Sequence, residues 1–183
     1  MTPGLRSVVL LGLRASGKST IGPALAQRLG FEFLDLDHAV LEDSEHDTIA
    51  EIVAAEGWPG FRAREREQLE VWLWALDTLP EKRLVLALGG GTPTHEPSRA
   101  LLQSANLHAL VALVYLRAQP ETLAKRMTHS ADRPSLTGKD PLDEIADLFA
   151  QRDELYRSLA DATIDADALT ESETISAIES ILQ

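Results

Sequence analysis

The run Gly12-Leu-Arg-Ala-Ser-Gly17-Lys18-Ser19-Thr20 carries the clearest chemistry in the chain. Its glycines let backbone N–H groups turn inward around phosphate oxygens, and Lys18 adds a positive charge near the outer phosphates of a nucleotide. Ser19 supplies a hydroxyl ligand suited to Mg²⁺, and a helix starting at this point favours anions at its N-terminus. The apolar run Val8–Leu11 leads into the loop and a helical segment, Ile21–Leu29, leaves it. This is the strand–loop–helix context that a phosphate loop requires, although such a loop serves kinases, GTPases, motors and regulatory modules alike.

Three further groups have residue types that fit phosphoryl transfer. Phe33-Leu-Asp35-Leu-Asp37 ends a second apolar run, and period-2 geometry predicts both carboxylates on one side at the C-terminal strand edge. One would hold the water shell of a metal and the other would orient an attacking hydroxyl; a helix N-cap is the alternative use. Leu84–Leu88 runs into Gly89-Gly90-Gly91, which permits close approach to a ligand or a tight bend. Arg62 follows a Trp58-Pro-Gly break near a helix start, a poor place for a cation unless an anion is nearby. With Arg64 and Arg66 beside it, a solvated charged face fits as well. Arg126, Arg133 and Arg152 are equally ambiguous one by one.

The elements that must position these groups alternate. Val8–Leu11, Phe33–Leu36, Leu84–Leu88, Val111–Leu116 and Ala162–Ala166 read as strands separated by helical crossovers, which predicts a parallel α/β sheet. The first three lack polar alternation, as central strands buried on both faces do. Thr48 with Glu51, and Thr170 with Glu173, have capping-box spacing, and Asp140-Pro141 marks another helix start. The polar stretch between Met127 and Asp140 reads as a mobile lid at about 128–140. The length of 183 residues fits one domain, 1–183.

Composition narrows the partners. Seventeen Lys and Arg against 29 Asp and Glu give a net charge of −12, which argues against broad binding to nucleic acid or anionic membrane. Six of the acids lie in 161–183, which has no Lys or Arg. The absence of cysteine excludes thiol catalysis and disulfides and fits a reducing compartment, so a cytoplasmic protein is expected. No signal core or membrane-spanning run is evident.

Taken in order, Gly12–Thr20, Asp35-Leu-Asp37, Phe61-Arg62 with Glu65, Gly89–Gly91, Arg133-Pro134 and Arg152 before Leu155-Tyr156 resemble the shikimate kinase family over nearly the whole chain. The resemblance implies a three-layer P-loop kinase fold, a five-stranded parallel sheet in order 2-3-1-4-5 with helices on both faces. It implies a monomer that takes ATP with Mg²⁺ and phosphorylates shikimate to shikimate 3-phosphate. By the same resemblance Gly12, Ala15, Ser16, Gly17, Lys18, Ser19 and Thr20 hold ATP. Ser19 and Asp35 serve the metal, and Lys18, Asp37 and Arg133 act in catalysis. Asp37, Arg62, Gly90, Gly91 and Arg152 hold shikimate, with a substrate-binding helical segment at about 38–78. Arg133 closes over the phosphates, and Arg126, Asp165 and Ala166 lie by adenine. A gluconate or nucleoside monophosphate kinase, or an ATP-binding module without chemistry, are the competing readings. Two features depart from the family pattern: Ala15 stands where a loop glycine is common, and the segment Leu101–Leu110 is longer than usual.

Overall fold

A computed structural model describes residues 6–79, 81–127 and 141–182. The 128–140 stretch read as a lid, including Arg133, lies outside the described residues. The five strands are β1 (Ser7–Leu11), β2 (Glu32–Asp35), β3 (Leu84–Ala87), β4 (Val111–Arg117) and β5 (Ala162–Asp165). All neighbouring pairs are parallel and the sheet runs 2-3-1-4-5. The helices are α1 (Lys18–Leu29), α2 (Leu36–Glu42), α3 (Ile49–Thr78), α4 (Glu96–Leu107), α5 (Pro120–Met127), α6 (Pro141–Leu159) and α7 (Glu171–Leu182), with a 3₁₀ turn at Thr92–Thr94. Each expected strand is present, displaced by no more than one residue at either end.

Strand periodicity splits the core into two layers. Val8 and Leu10 of β1 face one side with Leu25 of α1 and Ile178 of α7. Val9 and Leu11 face the other with Leu69 of α3, Leu102 of α4 and Tyr156 of α6. The sheet is thus sandwiched between helices, as parallel sheets require. The expectation of three central strands needs one correction. β1 and β3 are buried throughout, but β2 is the edge strand and its Glu32 is exposed. Its brief apolar run covers α1, where the Phe33 ring packs so close to Gly22 that a Cβ there would lie 2.2 Å away. Among the described residues, no helix is long and apolar enough to cross a membrane.

α3 is two helical segments joined at Gly57, whose φ of 70° and ψ of 174° interrupt the helix just before Trp58-Pro59-Gly60. The positive φ suits glycine, and Pro59 falls in the first turn of the restarted helix, where its missing N–H costs nothing. The bend carries Arg62 back toward the end of β3. A small satellite core of Val40, Ile52 and Phe61 fixes α2 against both halves of α3. At the other end of α3, Trp72 is half-buried against the main core with Lys82 Nζ 5.2 Å from its ring centroid, whereas Trp74 is 66% exposed.

The Thr48 box forms as its spacing predicts: Glu51 N–H donates to Thr48 Oγ1 at 3.2 Å and Thr48 N–H donates to Glu51 Oε2 at 3.3 Å. The Thr170–Glu173 pair forms the same reciprocal bonds at the start of α7. Thr48→Ala is expected to lower the unfolding free energy by about 1 kcal/mol, read as a shift of the urea midpoint at unchanged slope. A loss of no more than a few tenths would mean that the box adds nothing to water at that helix end.

Candidate active site

The phosphate loop joins β1 to α1 and is tied down by its own lysine. Lys18 is buried, and its Nζ donates to Gly12 O at 2.8 Å and Leu13 O at 3.0 Å. Gly17 caps α1 in the left-handed region with no side chain bonded across the cap, so the helix N-terminus with its affinity for anions faces the loop. Ala15 also has a positive φ, 63°. Alanine therefore keeps the left-handed backbone expected of a glycine, at a cost of roughly 1 kcal/mol.

Asp35 and Asp37 come together by a different geometry from strand alternation. The strand stops at Asp35, which caps α2: its Oδ1 accepts the Asp37 N–H at 3.0 Å. Its Oδ2 accepts from the Ser19 hydroxyl at 3.1 Å, linking the cap to the phosphate loop. Asp37 is then the second residue of α2 rather than a strand residue. The helix-cap use of Asp35 is thus realised, and it sets the carboxylate beside the phosphate loop.

A cleft of about 540 Å³ opens beside this point, lined by Leu13, Arg14, Asp37, Trp58, Phe61, Arg62, Gly89–Gly91 and Arg152 among others. Arg62 does not lie on a solvated face. Its Nη1 pairs with Glu65, and its guanidinium carbon lies 5.4 Å from the Trp58 ring centroid and 5.3 Å from that of Phe61. Its neighbours Arg64 and Arg66 instead pair at the surface with Glu56 and Glu70. Glu65 is completely buried and its Oε1 also accepts from Thr92 Oγ1 at 2.5 Å. Burial pushes the Glu65 carboxyl above its ordinary value of 4.5, against the opposing pull of Arg62 and Thr92.

The glycine run is where these groups meet. A Cβ on Gly89 would lie 2.5 Å from Glu65 Oε1 and 2.7 Å from Asp37 Oδ1, and one on Gly91 would lie 2.1 Å from Arg62 Nη2. From the far side, Arg152 Nη1 donates to Gly90 O at 2.8 Å, and the Tyr156 hydroxyl donates to the same oxygen. Beyond the site residues the sequence singles out, the cleft and its supports include Glu65, Thr92, Tyr156 and Arg14. Position was the available signal: Tyr156 is one helical turn beyond Arg152, and Thr92 directly follows the third glycine.

A second cleft, about 460 Å³, lies on the other side of the phosphate loop and is lined by Ala15–Ile21, Arg126, Ala166 and the start of α7. Arg126 bridges its two walls, donating to Ala15 O at 3.4 Å and Ala166 O at 3.2 Å. Asp165 ends β5 next to Ala166, and its Oδ1 accepts the Asp167 N–H at 3.0 Å in a local turn.

A parallel 2-3-1-4-5 sheet with a phosphate loop after its central strand, and two clefts separated only by that loop, defines a P-loop phosphotransferase. Residues 14–183 match the family model for shikimate kinase. The chain is 39% identical over 164 residues to "Shikimate kinase 2" of Yersinia enterocolitica, covering 88% of this chain and 87% of that protein. It superposes on the shikimate kinase of Acinetobacter baumannii in complex with shikimate with a TM-score of 0.84 and 34% identity, covering 97% of this chain and 93% of that one. A gluconokinase from Sinorhizobium meliloti, with a TM-score of 0.61 at 20% identity over 97% of this chain and 91% of that one, shares the fold alone. The chain belongs to the shikimate kinase family.

The raised Glu65 value has a consequence for stability. Folded protein keeps this proton at a pH where the unfolded chain has released it, so Glu65 favours folding most below 4.5 and less as pH rises through its folded value. Glu65→Gln abolishes that slope. The unfolding free energy of wild type minus that of Glu65→Gln should therefore decline upward from about pH 4 and then level off. A difference that grows with pH would show that Arg62 outweighs the burial.

Proposed function

We propose that this enzyme transfers the γ-phosphoryl group of ATP to a hydroxyl of shikimate, giving shikimate 3-phosphate and ADP. The observation that carries the reading is the composition of the larger cleft. Where the phosphate loop meets the glycine run it sets Asp37, a carboxylate for hydroxyls, with Arg62 and Arg152, guanidiniums for a carboxylate; Arg14 and Asp47 also line it. A polyol acid needs this combination, whereas a nucleotide acceptor would need its cations on phosphate and a pocket for a base.

ATP takes the smaller cleft, with its phosphates on the N–H groups of the loop and on Lys18, and its base near Arg126 and Ala166. Mg²⁺ fits the Ser19 hydroxyl and the Asp35 carboxylate, an oxygen-only pair of the kind that holds this ion together with phosphate oxygens and water. When bound, the ion neutralises charge on the outer phosphates. Asp37 aligns the acceptor hydroxyl and takes its proton as the phosphoryl group departs, since catalysis of this transfer is mainly positioning and electrostatics. Lys18 supports the charge from the loop side. Arg133 keeps the role that the resemblance implies, acting on the same moving charge. We read 1–183 as one domain, with 38–78 as the segment that receives shikimate. We also read the enzyme as a monomer, and a cytoplasmic location is supported by the cysteine-free composition.

A guanidinium grips a carboxylate through two parallel hydrogen bonds, which an ammonium cannot reproduce. Arg62→Lys and Arg152→Lys are each expected to raise KM for shikimate by on the order of tenfold with KM for ATP nearly unchanged. An analogue lacking the carboxylate should be indifferent to both changes. Equal losses toward shikimate and the analogue would assign the arginines to folding or to phosphate.

A further inference from the structure

We propose that Asp153 is a positioning residue for substrate recognition: with Tyr115 and Arg117 of β4 it fixes helix α6 so that Arg152 is presented at the Gly90 carbonyl. This rests on the reading of Arg152 as a carboxylate-binding residue.

Phe149, Arg152, Asp153 and Tyr156 follow the i, i+3, i+4, i+7 spacing of a single helix face. Tyr115 and Arg117 are two apart on β4 and so share one side of the sheet. The two faces interlock. Asp153 Oδ1 accepts from the Tyr115 hydroxyl at 2.9 Å and from Arg117 Nε at 2.8 Å, and Oδ2 accepts from Arg117 Nη2 at 3.3 Å. The Arg117 guanidinium carbon lies 4.8 Å from the Phe149 ring centroid, and the Tyr115 ring meets Tyr156 edge-on at 5.4 Å. Arg157, one turn beyond, pairs with Asp153 Oδ2 at 3.2 Å.

The other end of this brace is the Gly90 carbonyl, which takes Arg152 and Tyr156. Gly90 follows β3, and in the order 2-3-1-4-5 the strand between β3 and β4 is β1, which leads into the phosphate loop. α6 is therefore pinned on both sides of the strand that carries the catalytic loop, to β4 by Asp153 and to the end of β3 by Arg152 and Tyr156. A packed helix alone can slide or turn by a fraction of a residue; a forked guanidinium–carboxylate contact one residue from Arg152 forbids that. Only 18% of the Asp153 side chain and 16% of the Arg117 side chain are exposed. Pairs so far out of water add little net stability over apolar packing and serve better to fix one geometry. The central function of the contact is then orientation, and its loss should appear in shikimate binding before it appears anywhere else.

The test is a double-mutant cycle on KM for shikimate at saturating ATP, using Asp153→Asn, Arg152→Lys and the pair. Asp153→Asn alone should raise KM for shikimate by about fivefold, with kcat within about twofold and KM for ATP unchanged. In the Arg152→Lys background the same change should add less than about 1.5-fold, because the group it positions is gone. Tyr115→Phe, which removes a single hydroxyl, should give the same pattern at about twofold and serves if Asp153→Asn folds poorly. An undiminished effect in the Arg152→Lys background, an equal rise in KM for ATP, or no effect of Asp153→Asn while Arg152→Lys has one would overturn the proposal. An Arg152→Lys enzyme with normal KM for shikimate would instead overturn the reading of Arg152 itself.

Discussion

Three consecutive residues without side chains, at the end of one central strand, set the spacing of everything around them. The Gly89–Gly91 backbone forms the floor of the cleft bounded by the phosphate loop, the start of α2, the restarted half of α3 and α6. Had any of the three a Cβ, a different partner would have to move: Glu65 and Asp37 at position 89, the backbone of Arg14 at 90, Arg62 at 91. The close approach is what lets one carbonyl, that of Gly90, receive two donors from α6 while its neighbours touch the carboxylates and cations of the facing segments. Catalysis by positioning needs reacting groups held within a fraction of an ångström, and a joint of bare backbone transmits position with little slack.

The charge distribution follows from the same economy. A protein of net charge −12 repels an anionic substrate at long range, so its cations must be concentrated and directed where the substrate binds. Arg62 is held by a buried carboxylate below and two aromatic rings beside it, which costs Glu65 its solvation but leaves the guanidinium aimed into the cleft. Arg152 is aimed by its bond to Gly90 and by the helix that carries it. The acids between 161 and 182 lie on and around β5 and α7, and β5 is at the opposite edge of the sheet from β2, which leads into α2.

Much of this was legible in the sequence because local chemistry dictated it. A glycine-rich loop between an apolar run and a helix has one dominant use, capping boxes specify helix starts, and unbroken apolar runs specify strands in a parallel sheet. What stayed ambiguous depended on contacts between distant segments. Arg62, Arg64 and Arg66 look alike in sequence, and only the bend at Gly57 with a buried Glu65 separates the first from its neighbours. Asp37 reads as a strand residue because Leu36 and Leu34 continue the alternation; the Asp35 cap ends the strand earlier than hydrophobicity indicates. Asp165 carries a charge at the end of β5, and the turn that engages one of its oxygens with Asp167 had no signal in the apolar pattern. The Asp153 contact was invisible, since an acid on a helix face has no signature until the arginine and tyrosine opposite are known. Trp74 remains exposed, and nothing in the structure explains it.

The most direct measurement is phosphorus NMR of the purified enzyme with ATP, Mg²⁺ and an equimolar mixture of shikimate, gluconate and a nucleoside monophosphate. A carboxylate-gripping cleft with a single aligned hydroxyl predicts one new phosphomonoester resonance, coupled to the shikimate C3 proton, growing in step with ADP. ADP release without that resonance, or phosphate appearing on gluconate or the nucleotide instead, would contradict it.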